Sequence, residues 1–209
     1  MDHGARVRRA DEGDRETVVR LLDAAFAHDP VSHWVFPDPQ RRRTRHPLLV
    51  GAFTDIVLAD GHVDLRADGT AAALWLPMPD RPETTTADGG DREDEVDGPA
   101  LLRAAVDPDN ERVELIGRLT EGIHPPRAHT YLWMIGVDPA HQGRGRGAAL
   151  MRPVLDRCDR DGLPAYLEAS SPRSRELYRR LGFTVREPVL RLPYGGPVMW
   201  PMWRDPVSP

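Results

Sequence analysis

The chain has 209 residues, a net charge of −5, 28 basic residues that are all arginine, and one cysteine, Cys158. That length suits one domain able to bury a core without covalent staples, and a lone cysteine excludes an internal disulfide. The acidic balance disfavours nucleic acid as a partner, because phosphate binding needs a basic surface.

No apolar run approaches the roughly 20 residues that span a bilayer. The charged beginning of the chain lacks the apolar stretch of a signal peptide. A cytoplasmic protein with no membrane partner is therefore expected, as a monomer or homodimer.

Residues 5–10 have the length of a short strand. Asp11 follows as a cap with Asp14 three residues on, which is capping-box spacing. Val18, Leu21, Leu22, Ala25 and Phe26 recur at helical spacing, predicting a helix to about Ala27 that Asp29-Pro30 ends. A loop then carries His28, His33, Trp34 and Phe36, candidates to line a ligand pocket, the last two equally candidates for the core. A second helix is predicted over residues 40–58. A strand at 62–66, turn residues at 67–70 and a partner strand at 71–76 make a hairpin.

Between Asp80 and Asp97 lie eight acidic residues and two arginines. Such a stretch cannot bury much surface, so a mobile acidic loop at about 78–99 is expected inside a single domain spanning 1–209. Its charge would attract a cationic ligand. Helical patterns follow at 100–105 and 110–121.

Residues 129–137 read as a strand with Tyr131, Trp133, Ile135 and Val137 on one face. A glycine-rich loop comes next, at 138–147, and a helix at 148–160, with Pro153 predicting an irregularity inside it. A strand at 165–169, a helix at 171–181, and strands at 183–189 and 198–204 close the chain.

The loop Gln142-Gly143-Arg144-Gly145-Arg146-Gly147 lies between a strand and a helix. Glycines let a backbone turn sharply and approach a ligand closely. The first amides of the following helix have no internal partner and favour an anion, for which a pyrophosphate is the natural guest. Arg144 and Arg146 add positive charge. Gly143, Gly145 and Ala148 also fit the dinucleotide fingerprint G-x-G-x-x-A, with Glu168 at a tolerable distance for a ribose contact. Against that reading, residues 138–141 separate the glycines from the strand end. No spacing of His, Cys and Glu marks a metal site, and no G-x-S-x-G elbow marks a hydrolase.

The run Val137-Asp138-Pro139, then Gln142, Gly145 and Gly147, resembles the acetyl-CoA signature of the GNAT superfamily of N-acetyltransferases. Tyr178 followed by Gly182-Phe183 resembles that family's second signature, at the expected separation. Within the superfamily the C-terminal half is most similar to puromycin N-acetyltransferase-like members, through residues 141–145, 164–170 and 179–185. The resemblance implies an α/β fold with a central mixed, mostly antiparallel sheet of six to seven strands and helices on both sides. It implies transfer of acetyl from acetyl-CoA to the amine of a small molecule, by direct attack in a ternary complex. A non-catalytic acetyl-CoA sensor and a dinucleotide-binding oxidoreductase are the competing readings.

It also implies roles. Backbone groups of Ile135, Gly136 and Val137 pair with the pantetheine arm. Loop amides of Gln142, Gly143, Arg144, Gly145, Arg146, Gly147 and Ala148 hold the pyrophosphate. Tyr178 is the acid at the coenzyme sulfur. Ser174 stands where many members carry an asparagine that touches the coenzyme. Glu168, at the end of a predicted strand, is the first candidate base, ahead of His129 and Tyr131.

Overall fold

The computed structural model describes residues 6–81 and 97–207. The hairpin forms where its turn residues predict it. Gly69 takes φ +68°, and strand β2 (His62–Arg66) returns as β3 (Ala71–Met78) with Leu65 opposite Ala72. Strand β1 (Val7–Arg9) adds to the outer edge of β2, and β4 (His129–Val137) runs antiparallel beside β3. Strand β5 (Ala165–Ala169) pairs parallel with β4. The last strand, β8 (Val198–Arg204), pairs antiparallel with β5 and also with the two-residue strands β6 (Thr184–Val185) and β7 (Leu190–Arg191). The sheet order is β1-β2-β3-β4-β5-β8-β6, with β7 off that path. One parallel pair in a mostly antiparallel sheet is not the repeated βαβ array of a dinucleotide fold.

Helices cover both faces. Helix α1 (Arg15–Phe26) begins after the predicted capping box, in which Asp11 accepts from the Gly13 amide and Asp14 accepts from the Asp11 amide. With α3 (Pro39–Asp60) it buries Leu22, Val50 and Val57 against Leu65, Leu74 and Met134. On the opposite face, α6 (Arg146–Asp161) presents Leu150, Met151, Val154, Leu155 and Cys158 to Trp75, Leu132 and Leu167. Helix α7 (Pro172–Arg180) adds Tyr178 to that cluster. A third cluster joins α3 to α2 (Pro30–Val35), α4 (Gly98–Val106) and α5 (Glu111–Glu121) through Trp34, Phe36, Leu49, Val106 and Val113.

Four expectations change. Asp29-Pro30 does not only end a helix; it starts one. The Asp29 carboxylate accepts from the amides of Val31 and Ser32, and Pro30 takes the first helical position, where its missing N–H costs nothing. The segment read as a loop is therefore α2. Residues 183–189 form no continuous strand, because Pro188 has no ladder donor; the sheet has eight strands, counting the two short ones. Helix α6 continues through Pro153. The single face proposed for residues 131–137 is split by a bulge: Leu74 pairs with Met134 and Trp75 with Leu132, so Trp133 is the extra residue. An unpaired residue shifts the alternation by one. Ile135 and Val137 consequently pack with the α6 cluster, and Trp133 with the α1–α3 cluster. Most of the acidic stretch, residues 82–96, lies outside the described residues.

Candidate active site

The site begins where two neighbouring strands stop pairing. β4 and β5 are joined only through Thr130–Leu132 and Ala165–Leu167. Beyond that point β4 pairs with β3 alone, and Glu168 and Ala169 pair with β8 alone. The Trp133 bulge sits at the point of divergence. The β5-facing edge of Ile135, Gly136 and Val137 therefore has no strand partner. The Ile135 and Val137 side chains serve the core, as backbone roles permit. Gly136 has a packing reason of its own: an added Cβ would lie 2.7 Å from Leu22 Cδ2 and 2.8 Å from Ala25 Cβ. The glycine lets α1 approach the sheet.

At the end of β4 the chain enters the glycine loop. Gly143 and Gly145 take φ +76° and +75°, the left-handed region that suits glycine. No heavy atom lies within 4 Å of a Cβ built on either one. The loop backbone thus faces open space beside the first turn of α6, whose leading amides suit a phosphate. Gln142 spends its side-chain amide on the Val137 carbonyl, at 3.1 Å. Arg144 is exposed. Arg146 turns back to Asp68, at 3.2 Å, and to the Thr70 hydroxyl, so its charge is shared with the β2–β3 turn. Ala148 lies in the first turn of α6. The Ser174 hydroxyl belongs to the cap of α7: it donates to the Ser171 carbonyl at 3.0 Å and accepts from the Ser171 amide at 3.1 Å.

Beyond the split lies a cavity of about 370 Å³, lined by Tyr178, Glu168, Tyr131, Asp29, Ser170, His124, Ser32 and His46 together with many apolar side chains. Tyr178 is buried, with its ring edge-on to Phe183. Burial, and then the nearby Asp29 charge, raises its hydroxyl well above the ordinary tyrosine value. Among the described residues no hydrogen bond occupies that hydroxyl. Glu168 is pushed up to about 7 by burial, against hydrogen bonding from Tyr131 and Tyr166, which favours the charged form. The Tyr131 hydroxyl donates to Glu168 Oε2 at 2.8 Å. The Tyr166 hydroxyl sits beside the same carboxylate outside good hydrogen-bond geometry, leaving it and Glu168 Oε1 without a partner among the described residues.

The sequence did not single out the groups that complete the cavity wall. His124 lies edge-on to Tyr131 and Tyr166 and within 3.0 Å of His129 Nε2. Burial, then the charges of His129 and Arg81, lower it to about 3, so it stays neutral near pH 7. Asp29 Oδ2 accepts from the Ser170 hydroxyl at 2.5 Å; burial raises this carboxyl, against its hydrogen bonds. A third group is a chain: Asp23 lies 2.6 Å from His46 Nδ1, and His46 Nε2 lies 3.0 Å from Ser32 Oγ. It ties α1, α3 and α2 together at the wall. The only local signal for these residues was Asp29 as a helix cap.

Other candidates fall elsewhere. His28 and His33 are exposed and not among the lining residues. Trp34 and Phe36 are buried in the third cluster, with the Trp34 indole donating to the Pro193 carbonyl. His129 is buried behind the wall, its Nδ1 held by the Arg127 carbonyl. Among the described residues no group of three or more His, Cys, Asp or Glu side chains could hold a metal ion, and no helix is long and apolar enough to cross a membrane.

Known proteins resemble the chain in sequence and in fold. The model of the acetyltransferase (GNAT) family matches residues 71–183. A mycothiol acetyltransferase of Mycobacterium sp. (strain JLS) is 34% identical, over 84% of this chain and 79% of that protein. Another, of Streptomyces avermitilis, is 30% identical over 70% of this chain and 50% of its own length. The chain spans half or less of the length of several curated relatives it matches. In fold it is similar to a Corynebacterium glutamicum protein described as histone acetyltransferase HPA2 and related acetyltransferase, with TM-score 0.71, 24% identity, and 99% and 98% of the two chains covered. With its strand split, its glycine loop and a family match over more than half its length, the chain belongs to the GNAT family of acetyltransferases.

Proposed function

We propose that this protein transfers acetyl from acetyl-CoA to the amine of a small molecule, by direct attack in a ternary complex. The observation that carries the reading is the split between β4 and β5, which runs from the open glycine loop to the cavity holding Glu168 and Tyr178. A phosphate-bearing end fits the loop amides of residues 142–148. An extended arm fits the edge of Ile135 to Val137 that no strand pairs with, and the thioester then comes to the cavity. Small-molecule acetylation is favoured by the relatives named mycothiol acetyltransferase and by the likeness of the C-terminal half to puromycin N-acetyltransferase-like members. Ser174 contributes through the α7 cap, which fixes the helix that carries Tyr178.

The proton inventory closes with two side chains. The amine must be neutral to attack the thioester carbonyl, and Glu168, near neutrality in its affinity for protons, accepts the proton it sheds. As the C–N bond forms, the C–S bond breaks. Tyr178, held in its protonated form by burial, gives its proton to the leaving thiolate.

The test is calorimetric titration with acetyl-CoA of wild type and Gly145→Glu, followed by thiol release with a panel of amines. Binding by wild type alone, with thiol release that requires an amine, is the expected result. Absence of acetyl-CoA binding by wild type would overturn the reading. Binding without thiol release from any amine would indicate a sensor.

A further inference from the structure

The cavity lining is uneven in polarity. Asp29 and Ser170, Glu168 and Tyr131 line the cavity together, beside the split. The wall between α1, α3, β3 and α5 is mostly apolar, with Phe26, Leu49, Phe53, Ile56, Leu76 and Ile116 in it, beside the polar Thr120, Glu121 and Arg81 at the α5 side.

Apart from that of Tyr178, the hydroxyls in the wall are already engaged. Ser32 pairs with His46, Ser170 donates to Asp29, Tyr131 donates to Glu168, and Thr120 donates to the carbonyls of Ile116 and Gly117, both at 2.9 Å. A sugar against the mostly apolar wall would bury hydroxyls with few partners left for them, which is costly. A polyamine would carry a second charge onto hydrocarbon. The charged lining residues at the α5 side, Arg81 and Glu121, are exposed and opposite in sign. By contrast, the carboxylates of Asp29 and Glu168 offer one cationic head a double anchor.

We propose that the acceptor is a primary monoamine on a compact apolar tail, aryl or branched alkyl, with its nitrogen between Asp29 and Glu168 and its tail against Phe53 and Ile56. This rests on the acetyltransferase reading above and adds the substrate class to it.

The experiment compares phenethylamine, glucosamine and spermidine as acceptors at saturating acetyl-CoA, with coenzyme binding measured separately by calorimetry. It is run on wild type and on Ile56→Asp, a position 38% exposed and so tolerant of substitution. The expected result is that kcat/KM for phenethylamine exceeds that of the other two by roughly tenfold or more, the scale on which a hydrophobic pocket discriminates. Ile56→Asp then raises KM for phenethylamine with kcat little changed, because it removes binding common to ground and transition states. Coenzyme binding with glucosamine or spermidine equal or better as acceptor would overturn the substrate class and leave the acetyltransferase reading standing. An unchanged KM in a folded Ile56→Asp would also overturn it. No coenzyme binding at all would sink both.

Discussion

The Tyr131 hydroxyl reaches Glu168 Oε2 at 2.8 Å, between strands that stop pairing one residue beyond Tyr131. That bond favours the ionised carboxylate, while burial disfavours it more strongly, and the balance leaves Glu168 at about 7. If Glu168 is the base, kcat/KM rises with pH through about 7. Glu168→Gln should cost about 10²–10⁴-fold, the usual worth of positioned proton transfer. Tyr131→Phe removes a stabilising donor, so the rising limb should move to higher pH. A pH profile of thiol release checks both, and an unmoved limb in Tyr131→Phe would count against the assignment.

Glu168 and His124 should pull stability in opposite directions. The folded carboxyl binds its proton more tightly than an unfolded one of about 4.5. Its contribution is complete below about 4.5 and is lost as pH rises through about 7, a change on the order of 3 kcal/mol. His124, depressed from 6.5 to about 3, does the reverse: its contribution is present above about 6.5 and is lost as pH falls. Between about 5 and 6.5 the two oppose each other, so the wild-type melting temperature should vary little. Glu168→Gln leaves the histidine effect unopposed, and its melting temperature should fall on acidification over that range. Thermal melts at several pH values test this; parallel curves for wild type and Glu168→Gln would contradict it.

His46 should matter to the fold before it matters to turnover. It is buried, with Asp23 on one ring nitrogen and Ser32 on the other. His46→Ala strips both of their partner and leaves a void where α1, α2 and α3 meet. A loss of about 1–3 kcal/mol is expected from the unsatisfied groups alone. Urea unfolding measures it, and a variant as stable as wild type would show that water replaces the ring at no cost.

Much of the fold was legible because periodicity and turn chemistry agreed. The hairpin at 67–70 and the 165–169 strand fall where the residues place them. The face assignment of 131–137 failed because a bulge leaves no mark on the alternation itself: Trp133 is apolar on either face. Helix α2 was missed because Asp-Pro ends one helix and begins another with the same two residues. For the candidate site, Glu168 was singled out at a strand end and Tyr178 through the resemblance to a family motif, and both line the cavity. Asp29, Ser170, His46 and His124 come together only in three dimensions, from elements up to 141 residues apart. No local pattern announces that meeting.

The two kinds of glycine at the site should respond oppositely to a side chain. At Gly136 a Cβ would meet Leu22 and Ala25 at less than 3 Å, and those atoms belong to a packed helix. Gly136→Ala should therefore cost about 1–3 kcal/mol of stability through overpacking, whatever it does to the coenzyme. At Gly147 a Cβ would meet Leu177 and Val137 at an ordinary 3.7 Å, in the first turn of α6. Gly147→Ala should hold or raise the melting temperature, since alanine in a helix is favoured over glycine by roughly 0.5–1 kcal/mol. If the α6 amides cradle a pyrophosphate, the same methyl group should crowd it and weaken acetyl-CoA binding. A variant that melts no earlier yet binds the coenzyme less tightly locates the phosphate at that turn. If instead Gly147→Ala binds as well as wild type, the phosphate lies farther out, over Gly143 and Gly145, where the backbone faces open space.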